Sequence, residues 1–113
     1  MLNVTSDNPL KSIAFDDDDL IIDPGQWNEQ VAELIAHREG IPTLTQDHWR
    51  AITAIRDYYQ RFHAPPPMSM VCRGILSGGS CVQDLFHTCL TAWKVAGLPN
   101  PGEEAKSYLS ATR

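Results

Sequence analysis

The chain is short of positive charge. Its 113 residues carry nine Lys and Arg against fourteen Asp and Glu, a net charge of −5. A protein that grips nucleic acid through phosphate contacts shows a basic face. Nine scattered cations do not make one, so direct nucleic-acid binding is not expected. Long apolar runs are missing too: none approaches the ~20 residues of a membrane-spanning helix. The opening MLNVTSDNPLKS has neither a basic start nor an apolar stretch, so no secretory signal is read and the cytoplasm is the expected compartment. Cysteine is scarce. Cys72, Cys81 and Cys89 form an odd set without CxxC spacing, and in a reducing compartment they are expected as free thiols. His37, His48, His63 and His87 show no HxxxH or HExxH spacing, so no metal site is expected. GxGxxG and P-loop patterns are absent, and no cofactor is expected.

What is present is an ordinary core-forming composition, 42% apolar and 20% charged, on a length that favours one domain. The expected fold is mainly α with a small N-terminal β-hairpin. Residues 1–10 read as a loose N-terminus, 11–101 as the domain and 102–113 as a C-terminal arm. SIAFDDDDLII sets apolar arms on both sides of four aspartates, a hairpin with a solvated turn. EF-hand spacing, with its glycine and closing Glu, is missing there. DPGQWNEQVAELIAHREG reads as one helix capped by Asp23, with Trp27, Val31, Leu34 and Ile35 inward and Gly40 and Pro42 ending it. In LTQDHWRAITAIRDYYQRFHAPPP, Thr45 is the cap, and Trp49, Ile52, Ile55, Tyr59 and Phe62 follow helical spacing up to the three prolines. MSMVCRGIL predicts a short helix with Met68, Val71, Cys72 and Ile75 inward. SCVQDLFHTCLTAWKVAG predicts a single last helix, with Ser80 and Gln83 as a capping box and Leu85, Phe86, Cys89, Leu90 and Trp93 buried. Gly97, Pro99 and Pro101 then stop that helix, and an exposed, stiffened arm is expected to follow.

Two chemistries are open on these residues. The proline-linked second and third helices could form a helix-turn-helix, but its reading helix would offer only Arg73 to base edges, so packing explains it better. Cys89 stands two helical turns after Cys81 and one turn before Trp93. It is the thiol candidate, although a reactive thiolate needs exposure and a positive neighbour.

Three stretches together resemble the sulfur-relay family of DsrC and TusE, over about Phe15 to Pro101. FDDDDLIIDPGQW is similar to the family's hairpin leading into a helix with an early Trp. LTQDHWRAITAIRDYYQRF resembles its most distinctive segment, with Leu44, Thr45, His48, Trp49, Arg56 and Tyr59 at matching places. AGLPNP, Ala96 to Pro101, resembles the motif that launches its C-terminal arm. The resemblance implies a compact helical domain with a helix-turn-helix-like core and a C-terminal arm. It also implies a job. In the family, an arm cysteine carries a persulfide between partners, toward tRNA 2-thiouridine or in service of sulfite reductase.

The departures from that pattern shape the functional expectation. By the resemblance, the arm cysteine falls at Glu103 and the second cysteine at Trp93. Two usual cations are Ser69 and Asn100, while Arg73 keeps one. An oxygen anion cannot hold sulfane sulfur, because the thiolate does that chemistry. The expected protein is therefore a non-catalytic binding or regulatory relative. Its arm positions are Trp93, Gly97, Leu98, Pro99, Pro101 and Glu103, and its docking or structural signature is His48, Trp49, Arg56, Tyr59 and Arg73. A sulfur-transfer or reductase protein is the expected partner, and a small oligomer is left open. The alternatives are a sulfur carrier using Cys89, or Cys81 or Cys72, and a DNA-binding regulator.

Overall fold

The computed structural model describes residues 12–67, 70–72 and 82–111. Five α-helices occur among these: α1 (Glu29–Arg38), α2 (Gln46–Phe62), α3 (Val82–Phe86), α4 (Cys89–Val95) and α5 (Glu103–Ala111). The mainly helical expectation holds. Residues 70–72 are helical as well, with Val71 buried. Met68, Ser69, Arg73, Ile75, Ser80 and Cys81, on which parts of the third helix, its capping box and the helix-turn-helix reading depend, lie outside the described residues.

Short α4 is the hub: α1, α2, α3 and α5 all pack on it. Its Cys89, Ala92, Trp93 and Val95 are fully buried, against Val31, Ala32, Ile35 and Ala36 of α1 and Ala51, Ile52 and Ile55 of α2. Burying such side chains supplies the main drive to fold, at about 1.5–3 kcal/mol for each large one.

Several elements differ from expectation, each for a local reason. The hairpin is reduced to one antiparallel bridge, Phe15 to Ile21. The aspartates consume the rest of it: Asp16 Oδ1 accepts from the amides of Asp18 (2.9 Å) and Leu20 (3.0 Å), and Asp19 takes a left-handed φ of 64°. Such side-chain bonds compete with a strand ladder. The first helix is broken in two. Asp23 caps only a 3₁₀ turn, Pro24–Gln26; Trp27 is extended, and Asn28 caps α1 by accepting from the Val31 amide at 2.9 Å. The last helix is also split. His87 has φ 73°, and Thr88 caps α4 through the Thr91 amide at 3.1 Å. Phe62, which continues the helical spacing of α2, is 60% exposed. Cys72 is disulfide-bonded rather than free, with its partner outside the described residues, while Cys89 is free.

The expected exposed arm is the largest difference. After Pro101 the chain turns at Gly102 (φ 100°) and forms α5, whose Leu109 is fully buried against the core. The prolines end α4 as expected, but an apolar residue two turns further on finds the core and draws the segment back.

Candidate functional site

The stretch resembling a family arm begins where α4 ends, and a helix end presents carbonyls that its own backbone leaves unpaired. Here two distant side chains take them. The Trp27 indole Nε1 donates to Val95 O at 2.9 Å, and Arg56 Nη1 donates to Ala96 O at 2.7 Å. The guanidinium also lies 3.9 Å above the indole ring. A cation at the negative end of a helix is favoured by the helix dipole, and its bonds to carbonyls are stronger than neutral ones. Burial pulls the Arg56 pKa down from its ordinary value. Gly97 comes next, with φ 71°, and its Cα hydrogen faces the same indole. A Cβ there would lie 1.9 Å from Trp27 Cδ1. Only glycine satisfies both the backbone angle and the ring.

Trp93, at the expected second-cysteine position, is fully buried. Its indole donates to Pro99 O at 2.8 Å and meets Tyr59 edge-on at 5.5 Å. The tryptophan thus fastens the chain beyond Gly97 back onto α4. Leu98 is buried beside it. Asn100 Nδ2 donates to Asp16 Oδ2 at 3.0 Å, and Asn100 Oδ1 accepts from the Gly102 amide at 2.9 Å. Glu103 opens α5, where a carboxylate suits the positive helix start, and it pairs with Lys106 at 3.0 Å. The same ammonium bonds Asp18 in the acidic turn. For Asp16, burial pushes the pKa up, but the amides of Leu20 and Asp18, the Asn100 amide and the Lys106 charge together bring it below the usual range. The hydrogen bonds that the Lys106 ammonium donates to Asp18 and Glu103 raise its pKa above the ordinary lysine value. A cleft of about 430 Å³ lies between the end of α2 and this start of α5, bordered by Tyr59, His63 and Glu104 among others.

The expected signature residues divide into three roles. His48 stitches helices: its Nδ1 accepts from the Thr45 amide at 2.9 Å, and its Nε2 donates to Leu85 O at 2.8 Å, with Phe86 packed edge-on at 4.9 Å. This fixes the neutral tautomer with the proton on Nε2. Arg56 and Tyr59 hold the root of the arm segment. Trp49 instead lines a groove of about 680 Å³ along the outer face of α2. Arg73 lies outside the described residues. Cys89 is fully buried, and burial pushes its thiol pKa up. Both features work against a thiolate. Among the described residues no three His, Cys, Asp or Glu groups gather to hold a metal ion. No helix of these residues is long and apolar enough to cross a membrane.

Sequence reasoning missed Trp27 as the partner of Gly97, and His48 as a capping residue. The signals were faint: a conformationally special glycine, and a histidine three residues after a Thr cap.

The chain is similar in sequence and in fold to known proteins. A family model described as "DsrC like protein" matches residues 9–103. The sulfurtransferase TusE of Pectobacterium atrosepticum is 32% identical over 100 residues, covering 80% of this chain and 91% of that protein. The TusE homolog of Haemophilus influenzae is 36% identical over 97 residues, covering 78% and 88%. The oxidized gamma-subunit of the dissimilatory sulfite reductase (DsrC) from Archaeoglobus fulgidus superposes with a TM-score of 0.67 at 28% identity, covering 80% of this chain and 90% of that one. The chain belongs to the DsrC-like family. Its helix α5 begins at the last residue of the family match.

Proposed function

We propose that the protein is a binding and regulatory member of a sulfur relay, which docks on a sulfur-transfer or reductase partner and carries no sulfur itself. The observation that carries this reading is Glu103. Where relatives are expected to present a persulfide on a free arm, this chain starts a helix with a carboxylate held by Lys106. Glu104 beside it brings no sulfur either, and no cysteine follows Cys89. Residues 102–111 act as an extension that closes over the described core. The names of the relatives support sulfur transfer as the setting. The burial and raised pKa of Cys89 support the absence of carrier chemistry.

The test has two arms. In the first, the full chain is incubated with a low-molecular-weight persulfide and its intact mass is read. The expected result is no added sulfur, and an adduct on Cys89 would replace this reading with that of a carrier. In the second, the chain is offered to a sulfurtransferase complex and to a sulfite reductase, with and without a cysteine-bearing carrier. Capture that the carrier displaces is expected. Indifference of both assemblies sinks the proposal.

A further inference from the structure

Helix α5 lies over two places on the domain, α4 and the acidic turn. Both fall within the matched residues 9–103, whereas α5 runs on past them. Its hold is narrow. Among its described residues Leu109 alone is fully buried, while Glu103, Glu104, Ser107, Tyr108 and Ser110 are exposed. Lys106 stands one turn before Leu109 on the same face, and its ammonium bonds Asp18. Arg38 reaches the Asp19 carbonyl, but Lys106 is the one described cation paired with a carboxylate of the turn. A helix of nine residues does not persist alone in water, where about 12–15 are needed. Once Leu109 leaves its seat, α5 therefore unravels as a unit.

Two features come free together when it does. One is the apolar hollow on α4 that held a leucine, and the other is the carboxylate of Asp18 that held an ammonium. The helix that fills them reads them three residues apart. A helix of another protein meets both if it carries Lys or Arg at one position and a leucine-sized apolar residue three places later. Docked α5 is the template for such a helix, and it excludes it.

We propose that α5 is an internal blocker of a docking site for a basic, amphipathic helix of the sulfur-transfer or reductase partner. The site consists of the Leu109 seat on α4 together with Asp18, and it opens when α5 unravels. It rests on the docking function proposed above and gives the partner its chemistry. A ligand that needs a fractionally populated state binds more weakly by that fraction. With α5 open about a tenth of the time or less, freeing the seat tightens binding by about tenfold or more.

The experiment is capture of the full chain, over a concentration series, on an immobilised sulfurtransferase complex and on an immobilised sulfite reductase. Leu109→Asp and Lys106→Glu both change α5 and leave the seat intact. Hydrogen exchange checks that each loses protection from residue 103 onward and keeps it in α1, α2 and α4. L109D should bind one of the assemblies at least about tenfold more tightly than the wild-type chain, and K106E should gain in the same direction. K106E carries the test should L109D fail to fold. The double variant D18K/K106E restores opposite charges across the clasp and removes the carboxylate from the seat, so it should return to the wild-type value or below. D18K/L109D should lose the gain of L109D. Equal binding by the wild type and both single variants overturns the proposal and leaves the docking function standing. Weaker binding by the single variants overturns it too, because α5 is then part of the contact. So does a full gain in D18K/L109D. Failure of every chain, wild type included, to bind either assembly sinks the docking function and this site with it.

Discussion

Replacing Gly97 by alanine tests the clamp at the end of α4 most directly. Alanine in the left-handed region costs about 1–2 kcal/mol, from the Cβ clash with its own backbone. The larger cost is at Trp27. The new Cβ would sit 1.9 Å from Cδ1 and 2.7 Å from Nε1, so the indole must leave. Its departure removes the bond to Val95 O and strands that carbonyl beside a buried helix end, about 1–3 kcal/mol. The Arg56 guanidinium loses the ring beneath it, about 1 kcal/mol more. The expected loss is about 3–6 kcal/mol, a large share of a domain's usual 5–15 or so. Read thermally, that is a fall in Tm of roughly 15 °C or more. Urea unfolding of Gly97→Ala, Trp27→Ala and the double variant gives the decisive comparison. In the Trp27→Ala background only the backbone cost should remain, so the two changes should be strongly non-additive. A loss under about 1 kcal/mol for Gly97→Ala, or simple additivity, would refute the reasoning.

Three other outcomes follow from the same geometry. His48→Ala should cost about 2 kcal/mol by urea unfolding, from the cap and the Leu85 bond together, whereas His48→Gln should recover part of it, because Gln at this place can rebuild the capping box but not the reach to Leu85. Leu109→Ala should cost about 2–5 kcal/mol of packing, unless α5 opens on its own first; hydrogen exchange then shows protection lost from residue 103 onward with the rest of the core intact. The tie between the acidic turn and α5 should weaken at both ends of the pH scale. The lowered pKa of Asp16 means that its contribution is present above the ordinary carboxylate range and lost as pH falls through the lowered value. The raised pKa of Lys106 means that its contribution is present below the ordinary lysine range and lost as pH climbs through the raised value. A pH series of α5 exchange rates checks this, and added salt should speed exchange at neutral pH.

What was legible in the sequence was whatever depends on neighbours a few residues away. The Thr45 cap, the apolar spacing of α2 and the prolines behind it are local, and α2 is where they point. The breaks were not legible. Nothing in DPGQW says that Asp23 will cap a mere 3₁₀ turn and that Asn28 will start the helix, because both residues are good caps and packing of Trp27 on Gly97 decides between them. His87 at φ 73° is equally silent, since a non-glycine residue is rarely held there. Around the candidate site, the stop at Gly97 and the prolines was readable as punctuation. The return of α5 was not: it depends on Leu109 meeting a core assembled from α4 and its neighbours, and on Lys106 reaching an aspartate 88 positions earlier.

That last contact has a consequence for synthesis. The acidic turn is among the first parts of the domain to be translated, and its partners Asn100 and Lys106 are among the last. Closing a loop of that length costs roughly 4 kcal/mol or more in chain entropy, more than a surface ion pair returns. The clasp therefore cannot lead. It closes only after α4 has docked and drawn its two ends together. Until then a nascent chain leaves Asp16 without Asn100, Asp18 without Lys106, and the apolar seat of Leu109 exposed. A chain released before residue 106 would hold α1 to α4 but leave the seam open.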